Sequence, residues 1–231
     1  MIVNKMEKRL RPPQINLKTY IPKVIMLANG EKMVVRETKR EETSVLLETI
    51  FPLIEVQKDF YDIVAARMYA EILGWYRYRV ANEFVLVGAI DGVIVGIVNS
   101  RIIDEDVGIS LHTMTIKRGL RIGAQLFASK MENHFNMLGQ KEVLIVAESP
   151  IGFRRWMIEY GLENREDEYP KVQHELGGVP THVLTKSLYD IICDQKVGGQ
   201  RPVDSEILAT ADILKAPEEY EQIPGFERSK Q

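Results

Sequence analysis

Two glycines and two arginines lie together in residues 118–124, Arg-Gly-Leu-Arg-Ile-Gly-Ala. The segment follows an alternating apolar pattern and precedes a helical one, so it predicts a strand that feeds a helix through a glycine-containing loop. Such a loop points several backbone N–H groups into one concavity at the positive end of the helix dipole. Glycine permits the tight turn, and arginine adds charge-assisted donors. The chemistry indicated is the binding of a diphosphate.

Two other phosphate-binding motifs are excluded at this position. No Gly-Lys-Ser/Thr sequence follows, as a Walker A loop requires, and the Gly-x-Gly-x-x-Gly dinucleotide fingerprint is absent. The alternative interpretation of the segment is a helix N-terminus with solvated arginines. The elements around the loop decide between the two interpretations.

The hydrophobic patterns predict a mixed α/β chain. The predicted elements, in order, are a strand at 33–37, helices at 41–53 and 59–78, strands at 84–90, 93–98 and 107–116, a helix at 122–138, a strand at 142–147, a helix at 151–160 and a strand at 182–185. The Asp91-Gly92 pair predicts a hairpin between two of the strands. This order favours an α/β (α+β) fold with a mixed, mostly antiparallel central sheet flanked by helices.

The two ends of the chain differ from this patterned middle. Residues 1–31 are basic and carry a short apolar run, which predicts an N-terminal arm packed on the main body. Residues 193–231 are rich in glycine, proline and charge, which predicts a tail of loops or a partner-docking segment. One helix is expected within 204–214, with Asp204 as its N-cap. The expected organisation places a single domain at 32–192 between the arm and the tail.

Composition restricts the class of protein. The 231 residues include 30 basic and 33 acidic side chains, a net charge of −3, so no overall field recruits nucleic acid or an anionic membrane. A single cysteine, Cys193, excludes an intrachain disulfide, and the four histidines are too scattered for a zinc site. The sequence shows neither an 18-residue apolar stretch nor an apolar signal segment. We therefore expect a cytoplasmic protein that uses no metal.

The loop and its surroundings resemble the GNAT acetyltransferases. In that family an Arg/Gln-x-x-Gly-x-Gly/Ala loop joins the fourth strand to the third main helix; Arg118 and Gly123 match it, and Arg121 stands where the family has glycine. Three residues fit the family's Phe-Tyr-x-x-x-Gly-Phe helix end in character: Trp156, Gly161 and Leu162. The resemblance covers about residues 32–190. It implies the GNAT-like acyl-CoA acyltransferase fold.

The resemblance implies direct transfer of an acetyl group from acetyl-CoA to a primary amine, so the expected partner is a small-molecule or peptide amine acceptor. It also implies a coenzyme site formed by the strand before the loop, the loop itself and a serine after the next strand: Met114, Thr115, Ile116, Arg118, Gly119, Leu120, Arg121, Ile122, Gly123, Ala124 and Ser149. Members of the family are often dimers, and the tail from Val197 is a candidate for reaching a neighbouring copy. A homodimer is therefore expected.

Acylation of an amine requires a base for the ammonium proton. The candidates are Glu148, at the end of the central strand, and His112, on the strand before the loop. Their alternative roles are a helix-capping carboxylate and a satisfied strand histidine. The family's thiolate-protonating tyrosine is replaced by Met157. Tyr160, about one turn further along, is the candidate to substitute for it, with a core or rim position as its alternative.

The replacements Arg121 and Met157 also support another interpretation, a non-catalytic domain that keeps the acyl-CoA-binding shape for regulation or assembly. A third is an interaction scaffold in which the arm and the tail carry the function. Residues 59–78 contain a row of aromatic side chains that either shapes the acceptor pocket or packs in the core.

Overall fold

The computed structural model describes residues 2–10, 15–146, 149–165, 167, 181–220 and 223–226. The helices are α1 (Ile2–Leu10), α2 (Thr43–Ile50), α3 (Tyr61–Tyr76), α4 (Ile122–Glu132), α5 (Pro150–Gly152), α6 (Lys186–Lys196) and α7 (Ser205–Ala211). Two helices continue as π-helical turns, α4 through Asn133–Met137 and α5 through Phe153–Ile158. Short 3-10 segments lie at Arg40–Glu42, Phe51–Glu55 and Lys58–Phe60.

The strands form one eight-stranded sheet within the described residues, in the order β1-β2-β3-β4-β5-β6-β8-β7. They are β1 (Lys23–Met26), β2 (Lys32–Glu37), β3 (Glu83–Ile90), β4 (Val93–Ile102), β5 (Val107–Thr115), β6 (Glu142–Val146), β7 (Glu163–Asn164) and β8 (Thr181–Thr185). All neighbouring pairs are antiparallel except β5 and β6. The predicted mixed, mostly antiparallel α/β fold is confirmed.

The two faces of the sheet are covered by different helices. Side chains at alternate positions of β3 point to opposite faces: Val85 joins a core with α2 and α3, whereas Leu86 joins a core with the start of α4. A third cluster lies between the rest of α4, β6 and α6. We call the two sides of the sheet the α3 face and the α4 face.

The parallel pair β5–β6 determines where the sheet opens. Pairing runs from Val107 opposite Glu142 to Ser110 opposite Ile145. Residues 111–115 of β5 extend beyond these pairs, and β6 ends at Val146. One edge of β5 therefore leaves the ladder just before the chain enters the glycine-containing loop.

Described segments near both ends of the chain pack on the body. The apolar run in the predicted arm forms β1, which pairs with β2 at the edge of the sheet, and Val24 of β1 bridges to Gln200 in the tail. Further along the tail, Lys215 pairs with the β3–β4 hairpin at Val93, and Tyr220 enters the core on the α3 face. The predicted helix α7 is capped by the Asp204 side chain. The domain boundaries at 32 and 192 stay a prediction.

Within the described parts of the chain, no helix combines the length and the apolar character needed to cross a bilayer.

Candidate functional site

A cavity of about 300 Å³ lies where β5 leaves the ladder. It is lined by the start of α3, the end of β5, the loop before α4 and the start of α5. Nine of the residues predicted to bind the coenzyme line it: Met114, Thr115, Arg118, Gly119, Arg121, Ile122, Gly123, Ala124 and Ser149. The other two lie beside it, Ile116 in the core on the α3 face and Leu120 against the core on the α4 face. We call this cavity the cleft.

The loop turns sharply before α4. Gly119 has a φ of 88° and Arg121 a φ of 58°, both in the left-handed region. For a residue with a Cβ this conformation costs about 1–2 kcal/mol, whereas glycine adopts it freely. Arg121 thus holds a left-handed backbone conformation that glycine would adopt without cost.

Gly123 lets the first turn of α4 lie directly on β5. A Cβ at this position would stand 2.6 Å from Oγ1 of Thr115, closer than non-bonded atoms approach. Because the first four N–H groups of a helix have no partner within it, this end of α4 presents donors and a partial positive charge to the cleft. The arrangement suits an anion such as a phosphate.

The opposite wall of the cleft comes from the start of α3. The carboxylate of Asp59 accepts a hydrogen bond from Arg118 at 3.2 Å, and the guanidinium of Arg118 lies 5.6 Å from the centre of the Tyr61 ring. The Tyr61 hydroxyl donates to the carbonyl oxygen of Thr115 at 3.0 Å. Burial raises the pKa of Tyr61, and the charge of Arg118 opposes that rise. The α3 wall therefore contacts both the arginine of the loop and the edge of β5.

This wall was only partly visible in the sequence. Tyr61 belongs to the aromatic row at 59–78, and it lines the cleft, whereas Trp75 in the same row packs in the core. Nothing in the sequence indicated that Asp59 pairs with the arginine of the loop. Asp59 and Phe60 both have positive φ, 59° and 62°, so two consecutive residues other than glycine hold a strained conformation beside the cleft.

No protein-family model matches the chain, and no curated protein matches it. Solved structures do. Mycobacterium smegmatis RimJ, solved with CoA-disulfide, is 8% identical, with a TM-score of 0.50 and coverage of 79% of this chain and 98% of that one. An uncharacterised Bacillus halodurans protein, bh2621, is 12% identical, with a TM-score of 0.53 and coverage of 76% and 96%. Apo FdhC, described as a nucleotide-linked sugar GNAT, is 10% identical, with a TM-score of 0.49 and coverage of 80% of this chain and 100% of that one.

The chain has a GNAT-like fold. At these identities the likeness extends to the fold alone, and the resemblance inferred from the loop is shown at that level. In this fold the loop lies between β5 and α4, at the edge of the one parallel strand pair found among the described strands.

The three predicted catalytic residues have different positions in this GNAT-like fold. Glu148 lies outside the described residues. Tyr160 is 7% exposed, and its ring packs edge-to-face on the ring of Phe127, with 5.4 Å between the ring centres. It is not among the described residues that line the cleft. Burial raises the pKa of Tyr160. This position agrees with the core alternative for Tyr160, and Met157 is buried in the same cluster.

His112 lies in a β-bulge one residue before the lining of the cleft. Val98 pairs with Thr113 and Ser100 with Ser110, so two residues of β5 lie opposite Asn99 of β4. The side-chain oxygen of Asn99 accepts the His112 N–H at 3.0 Å. On the α4 face the Lys130 ammonium donates to the carbonyl oxygens of His112 and Asn99, at 3.0 and 3.4 Å. The bulge is thus held from both faces.

His112 also belongs to a buried polar cluster on the α3 face. The Nδ2 group of Asn99 donates to Glu71 and to Glu83, each at 2.9 Å. Arg101 donates to Glu83 at 3.1 Å, and Nε2 of His112 lies 3.7 Å from Oε1 of Glu71. Burial raises the pKa of Glu83 to about 7, with a further contribution from the charge of Glu71. We call these five residues the Glu83 cluster.

Sequence reasoning found only His112 of the Glu83 cluster. The available signal was polar residues in apolar strands, since Glu83 begins β3 and Asn99 interrupts the apolar run of β4. Among the described residues, no group of three His, Cys, Asp or Glu side chains has a metal-binding arrangement.

Proposed function

We propose that the chain is an acyl-CoA-dependent N-acyltransferase that transfers an acetyl group from acetyl-CoA to a primary amine. One observation carries the proposal: the cleft at the free edge of β5 is lined by the arginine- and glycine-containing loop and by the first turn of α4. A helix N-terminus, a flanking arginine and a strand edge together suit a ligand with a pyrophosphate group at one end and an amide-containing arm at the other.

The residues present fit acetyl-CoA, which when bound supplies an acyl group activated as a thioester. Arg118 and the N–H groups at the start of α4 would hold the pyrophosphate. The backbone of Met114, Thr115 and Ile116 would contact the pantetheine arm, and Ser149 would donate to that arm. The 3.2 Å pair of Arg118 with Asp59 is half-exposed, so phosphate oxygens compete with this carboxylate at low energetic cost.

The chain must also remove a proton from the amine, because only the neutral amine attacks. Glu148 and His112 remain the proposed bases. The proposed acceptor is a small-molecule or peptide amine. A homodimer and a cytoplasmic location also stay proposals.

The proposal is tested by mixing the protein with acetyl-CoA and a panel of primary amines and following thiol release. We expect a thermal shift with acetyl-CoA and CoA, and amine-dependent release of the thiol. A protein that shows no thermal shift with either coenzyme form would exclude an acyl-CoA function.

A second candidate, a non-catalytic acyl-CoA-binding protein, is favoured by one observation. Met157 stands where the resembled family has its tyrosine, and Tyr160 packs in the core instead of lining the cleft. Tight acetyl-CoA binding without thiol release across the amine panel would favour this candidate over the transferase.

A further inference from the structure

Part of the C-terminal tail packs in the same core as the helices that form one wall of the cleft. Tyr220 and Ile223 are buried on the α3 face, and the ring of Phe226 stacks on that of Tyr220, with 5.1 Å between the ring centres. The Tyr220 hydroxyl donates to the carbonyl oxygen of Thr49 at 3.0 Å. The N–H groups of Ile223 and Phe226 donate to the carbonyl oxygens of Tyr220 and Ile223. We call Tyr220 and residues 223–226 the strap.

The strap lies against the segment that leads into α3. A Cβ at Gly225 would stand 3.1 Å from Cβ of Lys58 and 3.9 Å from Cγ1 of Val56, so the backbone of the strap passes directly over these two side chains. Val56 is fully buried, and its carbonyl oxygen accepts the N–H of Asp62, in the first turn of α3, at 2.8 Å. The strap therefore contacts the segment from which the α3 wall of the cleft begins.

That segment has a strained backbone. Asp59 and Phe60 follow one another in the left-handed region, with φ of 59° and 62°. Residues with a Cβ keep such a conformation only where surrounding contacts hold them in it. On one side the strap lies on Lys58, and on the other side Arg118 donates to the carboxylate of Asp59 at 3.2 Å. The strap and the loop before α4 therefore hold the same strained segment from opposite sides.

We propose that the strap sets the affinity of the cleft for the coenzyme by holding Asp59 against Arg118. This inference rests on the proposed function, because it takes the cleft to be the coenzyme site. While the strap is packed, the Asp59 carboxylate occupies the guanidinium that a pyrophosphate needs. When the strap loosens, Asp59 and Phe60 relax to ordinary backbone conformations and the carboxylate leaves Arg118. The strap residues are thus positioning residues that act through Asp59.

The coupling works in both directions. A ligand that displaces Asp59 from Arg118 removes one of the two contacts that hold the strained segment. Because a coupling between two sites is reciprocal, the ligand must weaken the packing of the strap by the same factor by which loosening the strap strengthens ligand binding. The strap is therefore less firmly packed in the coenzyme-bound chain than in the free chain.

The test is a calorimetric titration of CoA into the full chain as wild type, Phe226→Ala, Asp59→Asn and the double variant. Phe226→Ala removes the ring that stacks on Tyr220, so it should raise the affinity about threefold. The double variant should bind no more tightly than Asp59→Asn alone, because Phe226 acts through Asp59. The control is Ile213→Ala, at a 69% exposed position of the tail outside the strap, and it should leave the affinity unchanged.

An equal or lower affinity of Phe226→Ala would overturn the inference, and so would a double variant whose gain is the product of the two single gains. Should Phe226→Ala fail to fold, Phe226→Leu keeps an apolar side chain on the core without the ring stack, and it must also raise the affinity. A wild type that does not bind CoA would remove the proposed function and the strap with it. CoA binding that ignores Phe226 would remove the strap alone.

Hydrogen exchange of backbone amides gives a readout that a merely structural strap would not change. At saturating CoA the N–H groups of Ile223 and Phe226 should exchange about threefold faster than in the free chain, by the same coupling. In Asp59→Asn, CoA should leave their exchange unchanged. Exchange that stays the same or slows when the wild type binds CoA would contradict the coupling.

Discussion

Two buried carboxyl groups in this chain have pKa values shifted in opposite directions. Glu132 of α4 accepts hydrogen bonds from Tyr20 at 2.6 Å, Lys23 at 2.8 Å and Arg201 at 2.9 and 3.0 Å. Burial alone would raise its pKa, but Arg201 and Lys23 outweigh burial and lower the pKa of Glu132 to about 2. Glu83 has one guanidinium partner and a carboxylate neighbour, and burial raises its pKa to about 7.

The difference shows how partners decide what a buried carboxyl group does. Glu132 faces more positive than negative charge and stays ionised, and it joins α4 to β1 and to the C-terminal tail. Glu83 faces a second carboxylate and exchanges protons near neutral pH. Perturbed pKa values of the second kind are common at functional sites, and the Glu83 cluster lies beside the cleft.

The largest expected effect concerns Glu132. In Glu132→Gln the buried ammonium of Lys23 and the guanidinium of Arg201 lose their counter-charge, so we expect a loss of about 3–5 kcal/mol in the free energy of unfolding at pH 7. Urea unfolding followed by circular dichroism measures it. Glu105→Gln, at an exposed position in the turn before β5, is the control and should change stability by less than about 0.5 kcal/mol. A loss below about 1 kcal/mol for Glu132→Gln would show that the contacts of Glu132 with Lys23 and Arg201 contribute little to stability.

A smaller and pH-dependent effect is expected for Glu83. Its folded pKa of about 7 lies above the ordinary value of 4.5, so between these values the folded state binds more protons than the unfolded state. Stability contributed by the protonated group is therefore present below pH 4.5 and lost as pH rises through 7. The wild type should lose up to about 1.4 kcal/mol per pH unit from this group. Urea unfolding at pH 5, 6, 7 and 8 measures this dependence, and Glu83→Gln should show a smaller loss of unfolding free energy per pH unit than the wild type. The same pH dependence in both proteins would contradict the raised pKa of Glu83.

The smallest effect is expected at the ion pair between Asp59 and Arg118, in which both side chains are 28% exposed. Because half-exposed pairs contribute little, Asp59→Asn should change stability by less than about 1 kcal/mol. It removes a competitor for the pyrophosphate, so CoA affinity in calorimetry should rise about 3–10-fold, equivalent to about 0.7–1.4 kcal/mol. Asp62→Asn removes the same charge from a carboxylate that accepts its neighbour's N–H, and it should leave the affinity unchanged. Equal affinities for both variants would show that Asp59 does not compete at Arg118.

Local patterns predicted much of the fold. The hairpin at Asp91-Gly92 was readable because both residues take the positive φ that such a turn needs, 51° and 81°. The helix capped by Asp204 and the helix that begins at Ile122 were readable for similar local reasons. The edge strand β1 was not predicted, because four residues that pair only with a neighbouring strand carry no distinctive pattern.

The candidate site was predicted on one side only. The loop and the end of β5 form a continuous stretch of sequence, so their residues were found together. The α3 wall and the Glu83 cluster depend on contacts between distant segments, such as Glu71 with Asn99 across 28 positions. A bulge adds one residue to a strand, and the sequence pattern does not show which residue lies opposite Asn99.

The proposed function requires that the loop before α4 binds the pyrophosphate of acetyl-CoA. The most direct measurement is a calorimetric titration of acetyl-CoA into the wild type, Arg118→Ala and the control Arg154→Ala, whose side chain is exposed and lies outside the described lining of the cleft. We predict that Arg118→Ala weakens binding about 10–100-fold, the loss expected for charge-assisted hydrogen bonds, and that Arg154→Ala binds as the wild type does. Equal affinities for all three proteins would contradict the claim.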